Sequence, residues 1–221
     1  PGEELEGVVD AISFIYHLRT NALPQTAVGD KVIVIGLGMT AIDAATQAKR
    51  LGAKDVTIVY RRTQAEMPCT QVELDLALLD GCKVIWLAAP REVRGENGKA
   101  TGLVCTEMKL GDPDASGRRA PVPSGNEFFL EADMIIKAAG QMPFTALVEG
   151  SDLLHNSGRL SVSGNSTSID GVFAGGDCVN GGREVVDAVQ AGKDGAAAIM
   201  DYLGMTVEIR KGAVKASEPV L

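Results

Sequence analysis

Glycines at a fixed spacing follow an apolar run near the start of the chain. Residues 32–35 read VIVI, and residues 36–41 read GLGMTA, which is the pattern G-x-G-x-x-A. In this pattern Gly36 permits a tight turn, Gly38 lets the backbone approach a pyrophosphate, and the small Ala41 lets a helix pack closely on a strand. The chemistry that these residue types suit is the binding of a dinucleotide.

Two arginines follow the next apolar run, after residues 56–59. A site for NAD usually has an acidic residue there for the ribose 2′-hydroxyl, whereas a site for NADP has arginine for the 2′-phosphate. This chain has Tyr60, Arg61 and Arg62. A guanidinium group can hold a phosphate by two parallel hydrogen bonds, so the pair favours NADP(H). Two solvated loop arginines are the alternative, and NADH stays open as a ligand.

The elements around the motif form a βαβ unit. Four β-branched residues at 32–35 predict a strand that is buried on both faces of a parallel sheet. A helix is predicted over residues 39–51, because Ile42, Ala45, Ala48 and Leu51 form one apolar stripe and Gly52 follows. Its N-terminus faces the glycine turn and provides an anion site. A second strand is predicted over residues 56–59.

The remaining pattern predicts an α/β fold, with a Rossmann-like parallel sheet and an appended antiparallel β-meander. A polar loop at residues 112–125 is expected to be mobile, and a glycine-rich turn is expected at 179–183. The other predicted elements are helices at 9–19 (closed by Pro24), 71–79 and 184–203, strands at 83–87, 91–94, 101–110, 127–130, 133–140 and 160–162, an apolar strand within 171–177, and a frayed tail at 205–221.

Composition excludes several classes of function. The net charge of −8 argues against a nucleic-acid surface, and the apolar runs are far shorter than the roughly 20 residues of a membrane span. Four cysteines without a C-x-x-C pair and two isolated histidines give no support for a metal site. We expect a cytoplasmic protein. Because the chain begins at Pro1, we also expect it to be part of a longer one.

A second group of residues has the types that bind a cofactor. Ala139, Gly140 and Gln141 lie at the carboxyl end of the strand predicted at 133–140, where open parallel sheets bind ligands. The alternative is that these residues are only the exit of a strand. Residues 171–177 read GVFAGGD and precede a helix rich in small residues. Close backbone approach at Gly176, a carboxylate at Asp177 and a helix dipole suit a cofactor, although a helix packed tightly on a sheet explains the same spacing.

These segments together resemble the two-dinucleotide-domain flavoproteins of the pyridine nucleotide-disulphide oxidoreductase type. Within them the chain is most similar to the small subunit of NADPH-dependent glutamate synthase and to the flavin module of dihydropyrimidine dehydrogenase. The segments that carry the likeness are VIGLGMTAIDAA, VTIVYRRTQAEMP, AAGQMP, GVFAGGD and EVVDAVQAGKDGAAAI.

The resemblance implies an NAD(P)H-binding domain at residues 25–137, inserted in a partial FAD-binding domain formed by residues 1–24 and 138–221. It implies that Gly36, Gly38, Met39 and Thr40 contact the pyrophosphate, and that Arg61 and Arg62 contact the 2′-phosphate. Toward FAD it implies Asp177 for the ribityl or phosphate part, Gly140 and Gln141 near the cleft, and Val185 and Val186 against the flavin.

The implied function is hydride transfer from NADPH to FAD and onward to an electron-accepting subunit or iron–sulfur protein. No side chain is expected to act as acid or base. The chain departs from the family in having one G-x-G-x-x-G-type motif instead of two and no cysteine-rich iron–sulfur segment. We therefore expect an incomplete FAD site and an inactive isolated chain. A non-catalytic NADP(H)-binding module or sensor is the alternative, and a homo-oligomer stays open.

Overall fold

The structure is a computed structural model that describes residues 1–22, 26–113, 119–142 and 145–205. The chain divides into two compact units, Pro1–Gly140 and Gln141–Leu221. Among the described residues, no helix combines the length and the apolar character that crossing a membrane requires. The assignment of residues 1–24 and 138–221 to a FAD domain stays a prediction.

The described residues contain seventeen segments of regular structure, two of them single turns of 3₁₀-helix at Gln64–Glu66 and Thr145–Leu147. The others, in chain order, are β1 (Val8–Asp10), α1 (Ala11–Thr20), β2 (Lys31–Ile35), α2 (Met39–Arg50), β3 (Asp55–Tyr60), α3 (Gln71–Leu79), β4 (Lys83–Trp86), β5 (Ala88–Glu96), β6 (Lys99–Pro113), β7 (Arg119–Glu131), β8 (Met134–Lys137), β9 (His155–Asn156), β10 (Arg159–Leu160), α4 (Asp177–Asn180) and α5 (Val185–Tyr202).

The first unit has three layers around a parallel sheet with the strand order β1-β8-β2-β3-β4. Successive side chains of β2 point to opposite faces: Val32 and Val34 pack with α1, α2 and α3, whereas Ile33 and Ile35 pack against the antiparallel sheet β5-β6-β7. Both faces of the sheet are therefore covered, which explains the continuous apolar sequence of β2. The predicted α/β class with its β-meander is confirmed.

Helix α2 crosses from β2 to β3 and makes the two strands parallel neighbours, with Val32 opposite Val56. Its buried face consists mostly of small residues, which allow a close approach to the sheet, with Ile42 as the one large residue. Ala41, Ala44, Ala45 and Ala48 are each fully buried. The predicted βαβ unit is confirmed, with the helix ending at Arg50 rather than at residue 51.

The start of the chain differs from its prediction. Residues 8–10 form an edge strand that pairs with β8, and the helix begins at Ala11 instead of residue 9. The Asp10 side chain accepts a hydrogen bond from Ile12 N–H, and this cap fixes the start of the helix. The predicted closing residue, Pro24, lies outside the described residues.

The loop predicted at residues 112–125 is the second difference. Strand β6 continues to Pro113 and β7 begins at Arg119, so most of this stretch extends a long hairpin. Pro121 and Pro123 lie on β7, opposite Leu110 and Met108. Because β7 is the last strand of its sheet, a proline there removes no hydrogen bond that a further strand would need.

In the second unit, the hairpin of β9 and β10 and helix α5 are the main elements. The predicted helix at 184–203 is confirmed within one residue at each end. The predicted strand within 171–177 is wrong: this stretch makes one isolated bridge, between Phe173 and Ser166. The predicted turn at 179–183 starts later than expected, because residues 177–180 form the helical turn α4 that ends at Gly181.

Candidate functional site

The exits of β2 and β8 lie side by side at the carboxyl edge of the parallel sheet. After β2 the chain proceeds toward β3 on one side, whereas β8 and β1 lie on the other. Such a reversal of strand order leaves a crevice outside the strand ends, where open α/β sheets bind ligands. The glycine turn at 36–38 follows β2, and residues 138–140 follow β8, so both segments border this crevice.

The two glycines of the turn have different surroundings. Gly36 has φ +118°, and a Cβ atom placed there would lie 2.3 Å from the carbonyl oxygen of Ala138. A side chain is therefore excluded by the neighbouring strand exit. Gly38 has φ −80°, and among the described residues a Cβ atom there would meet only Cγ of Pro68, at 4.0 Å. The space in front of Gly38 is open to a ligand.

Helix α2 presents a bare N-terminus to the crevice. Gly38 is its N-cap and has no side chain to cap the helix. The Gly38 carbonyl accepts hydrogen bonds from Ala41 N–H at 2.9 Å and from Ile42 N–H at 3.1 Å. The N–H groups of Met39 and Thr40 precede these, in the part of the helix where N–H groups have no intrahelical partner and the dipole is positive. This end of the helix favours an anion.

Arg61 and Arg62 extend from the end of β3 along one wall. Arg61 is exposed and Arg62 is half-buried. Within the described part of the chain, neither guanidinium forms an ion pair, and Nε of Arg62 is buried without a hydrogen-bond partner. A buried, unpaired guanidinium nitrogen is unfavourable unless an acceptor is supplied. The arrangement suits an anionic ligand group.

These parts enclose a pocket of about 370 Å³. It gathers six of the residues predicted from the sequence, and Ala41 lies behind it, fully buried against the sheet. Sequence reasoning missed several other lining residues, of which Tyr60 adjoins the arginine pair in sequence. The lining comprises Ile35, Gly36, Leu37, Gly38, Val59, Tyr60, Arg61, Arg62, Pro68, Pro90, Ala138, Ala139 and Gly140.

Apart from Met39 and Thr40 at the N-terminus of α2, the other predicted residues belong to the second unit. Gln141 is exposed, as is Asp177, the first residue of α4. Gly176 has φ +73° and is the N-cap of α4. Val185 and Val186 open helix α5, and both side chains are largely exposed. Their contact with a cofactor stays a prediction.

Comparison with known proteins identifies the family. The model of the pyridine nucleotide-disulphide oxidoreductase family matches residues 1–192. The chain belongs to this family. The structure accordingly provides this oxidoreductase chain with a crevice at the reversal point of a parallel sheet, bordered by a glycine turn and two arginines.

Relatives of the chain are redox subunits. It is 40% identical over 200 residues to the beta subunit of the NADP(+)-dependent formate dehydrogenase of Moorella thermoacetica, covering 89% of this chain and 28% of that protein. It is 36% identical over 218 residues to the small chain of NADPH glutamate synthase from Azospirillum brasilense, covering 91% and 45%. The chain thus spans half or less of these curated relatives.

A solved structure has the same fold. FprA from Mycobacterium tuberculosis, in complex with NADPH, matches this chain with a TM-score of 0.72 at 20% sequence identity. The match covers 92% of this chain and 60% of FprA. At this identity the likeness concerns the fold.

Proposed function

We propose that this oxidoreductase chain is the NAD(P)H-binding portion of a flavin-dependent enzyme that takes electrons from NADPH. The observation that carries the proposal is the buried, unpaired Nε of Arg62 beside Arg61, at the wall of the pocket. The names of two relatives include NADP or NADPH, which supports the same nucleotide. FAD would bind to the complete protein, with residues 141–205 contributing part of its site.

The residues present fit a phosphorylated dinucleotide. The open space before Gly38 accommodates a pyrophosphate, and the bare N-terminus of α2 offers the N–H groups of Met39 and Thr40. Arg61 and Arg62 directly follow β3, where NADP sites have the arginine that receives the 2′-phosphate. Each charged part of NADPH therefore has a complementary group on this chain.

The chain's contribution to catalysis is geometry. The glycine turn and the arginine pair would hold NADPH, which would supply a hydride to the flavin of the complete protein, and iron–sulfur partners would then receive the electrons. Gly36 keeps the exits of β2 and β8 close together, and the apolar Ala138 and Ala139 form the wall opposite the arginines. No acid or base is required from the side chains of the pocket.

Binding of NADPH and NADH to variants tests the proposal. We expect Arg61→Ala and Arg62→Ala each to raise the Kd for NADPH by at least about tenfold, because each removes a charge-assisted contact. The Kd for NADH should change little, since NADH lacks the 2′-phosphate. Arg19→Ala is the matched control, because Arg19 is exposed on α1 and does not line the pocket. Unchanged NADPH binding in both pocket variants would refute the proposal.

The electron acceptor has two candidate classes, glutamate synthase and dihydropyrimidine dehydrogenase. The glutamate synthase class is favoured by the 36% identity to the small chain from Azospirillum brasilense. Assays of NADPH oxidation by the full-length protein, supplied in turn with a glutamate synthase large chain and with a pyrimidine, would distinguish them. Turnover only with the pyrimidine would reverse this preference.

A further inference from the structure

The segment that follows β3 is held by its own hydrogen bonds. The Thr63 N–H and hydroxyl both donate to Oε2 of Glu66, at 3.0 and 2.5 Å. The Glu66 N–H donates back to the Thr63 carbonyl at 3.2 Å. This reciprocal arrangement closes residues 63–66 into a single fixed turn.

Tyr60 joins this turn to the strand that carries the arginines. Its hydroxyl donates to the Glu66 carbonyl at 2.6 Å, and its ring lies edge-on to Trp86 with the ring centroids 6.1 Å apart. The Arg62 carbonyl accepts a hydrogen bond from Leu87 N–H at 3.1 Å. The backbone of the arginine pair is therefore fixed from the strand side and from the loop side.

The same turn sets the width of the pocket. Pro68 follows it and stands opposite the glycine turn, with its Cγ 4.0 Å from a Cβ atom placed on Gly38. Met67, between the turn and Pro68, is partly buried and packs against the hydrophobic core. A shift of the turn would move Pro68 and Arg62 together.

We propose that Tyr60 and Glu66 are positioning residues that set the preference of the pocket for NADPH over NADH. Through the Tyr60 hydroxyl and the Thr63–Glu66 bonds they hold Arg62 and Pro68 where a 2′-phosphorylated nucleotide binds. The inference rests on the proposed function. By its charge the Glu66 carboxylate would repel a phosphate, so the contribution proposed here is through hydrogen-bond geometry.

The test is the ratio of the Kd values for NADH and NADPH in three variants. Tyr60→Phe removes one hydrogen bond and should lower this ratio about fivefold. Glu66→Ala removes two and should lower it by at least as much. Glu66→Gln should keep it within about twofold, because the amide oxygen accepts the same two bonds. Tyr16→Phe is the control, since Tyr16 is exposed on α1.

The possible results distinguish a positioning role of Tyr60 and Glu66 from other roles of these residues. A lower melting temperature with an unchanged ratio would mean that the turn only stabilises the fold, and tighter NADPH binding in both Glu66 variants would mean that its charge dominates; either result overturns the inference. If Arg62→Ala abolishes the preference while Tyr60→Phe and Glu66→Ala retain it, positioning is wrong and the proposed function stands. If wild-type protein shows no preference, both are wrong.

Discussion

The two glycines of the turn are expected to have different roles, Gly36 in folding and Gly38 in nucleotide binding. A Cβ atom on Gly36 would overlap the Ala138 carbonyl, and its φ of +118° is unfavourable for other residues. We expect Gly36→Ala to lower the free energy of unfolding by at least about 2 kcal/mol. Gly38→Ala should cost less than about 1 kcal/mol, because its φ of −80° is ordinary, yet raise the Kd for NADPH about tenfold.

Urea denaturation and nucleotide titration of the two variants check this pair. We expect Gly36→Ala to show the larger loss of stability and Gly38→Ala to show the loss of NADPH binding. A Gly38→Ala protein that binds NADPH as tightly as wild type would show that no ligand lies against this backbone.

The Glu66 carboxyl gives a prediction about pH. The hydrogen bond from the Thr63 hydroxyl lowers the pKa of this carboxyl, with a smaller contribution from the Thr63 N–H, although desolvation opposes them. A lowered pKa in the folded state means stabilisation that is present above the ordinary pKa of glutamate, about 4.3, and lost as pH falls through the lower folded value. NMR titration of the Glu66 carboxyl carbon should show this, and Thr63→Val should move the midpoint upward. An unmoved midpoint would contradict the hydrogen-bond origin of the shift.

The reactivity of individual cysteines tests the burial of their side chains. Burial raises the pKa of the Cys82 thiol and of the Cys105 thiol to about 11 in each case, so little thiolate forms at neutral pH. Cys69 is also buried, whereas Cys178 is exposed. We expect iodoacetamide at pH 8 to label Cys178 alone until the protein unfolds, as mass spectrometry would detect. Early labelling of Cys82 or Cys105 would contradict the packing.

At the scale of elements, helix α3 depends on its first turn. Thr70 N–H donates to Oε2 of Glu73 at 2.8 Å, and Glu73 N–H donates to the Thr70 hydroxyl at 3.2 Å. We expect Thr70→Ala to lower the free energy of unfolding by about 1 kcal/mol, measured by urea denaturation. Thr20→Ala, at the C-terminal end of α1, should lower the free energy of unfolding by less than half as much. Equal losses would show that the cap is not what fixes α3.

The sequence predicts well those elements whose hydrophobic pattern and capping residues indicate the same structure. The strand at 32–35 and helix α3 were predictable because burial on both faces and a capping box each leave a local signal. The edge strand β1 and the extension of β6 and β7 were not, because their pairing depends on partners far away in sequence. The prolines and glycines of residues 112–125 predicted a loop, although an edge strand tolerates such residues.

The same limit applies to the candidate site. Gly36, Gly38 and the arginine pair follow from a motif with a known spacing. Tyr60 and Pro68 could not be placed in the pocket from sequence, because their positions depend on the turn at residues 63–66 and on its contact with the core.

For the whole molecule, the central claim is that NADPH lies across the glycine turn with its 2′-phosphate at the arginines. The family and the three-layer first unit agree with this claim, and the relatives extend well beyond the part that this chain matches. Residues 141–205 would serve the flavin of the complete protein.

A crystal structure of this chain with NADP+ is the most direct measurement. We expect the pyrophosphate within hydrogen-bond distance of the N–H groups of Met39 and Thr40. We expect the 2′-phosphate within about 3.2 Å, the upper limit of an N–H···O bond, of a guanidinium nitrogen of Arg61 or Arg62. A nucleotide bound elsewhere, or bound with its 2′-phosphate in solvent, would contradict it.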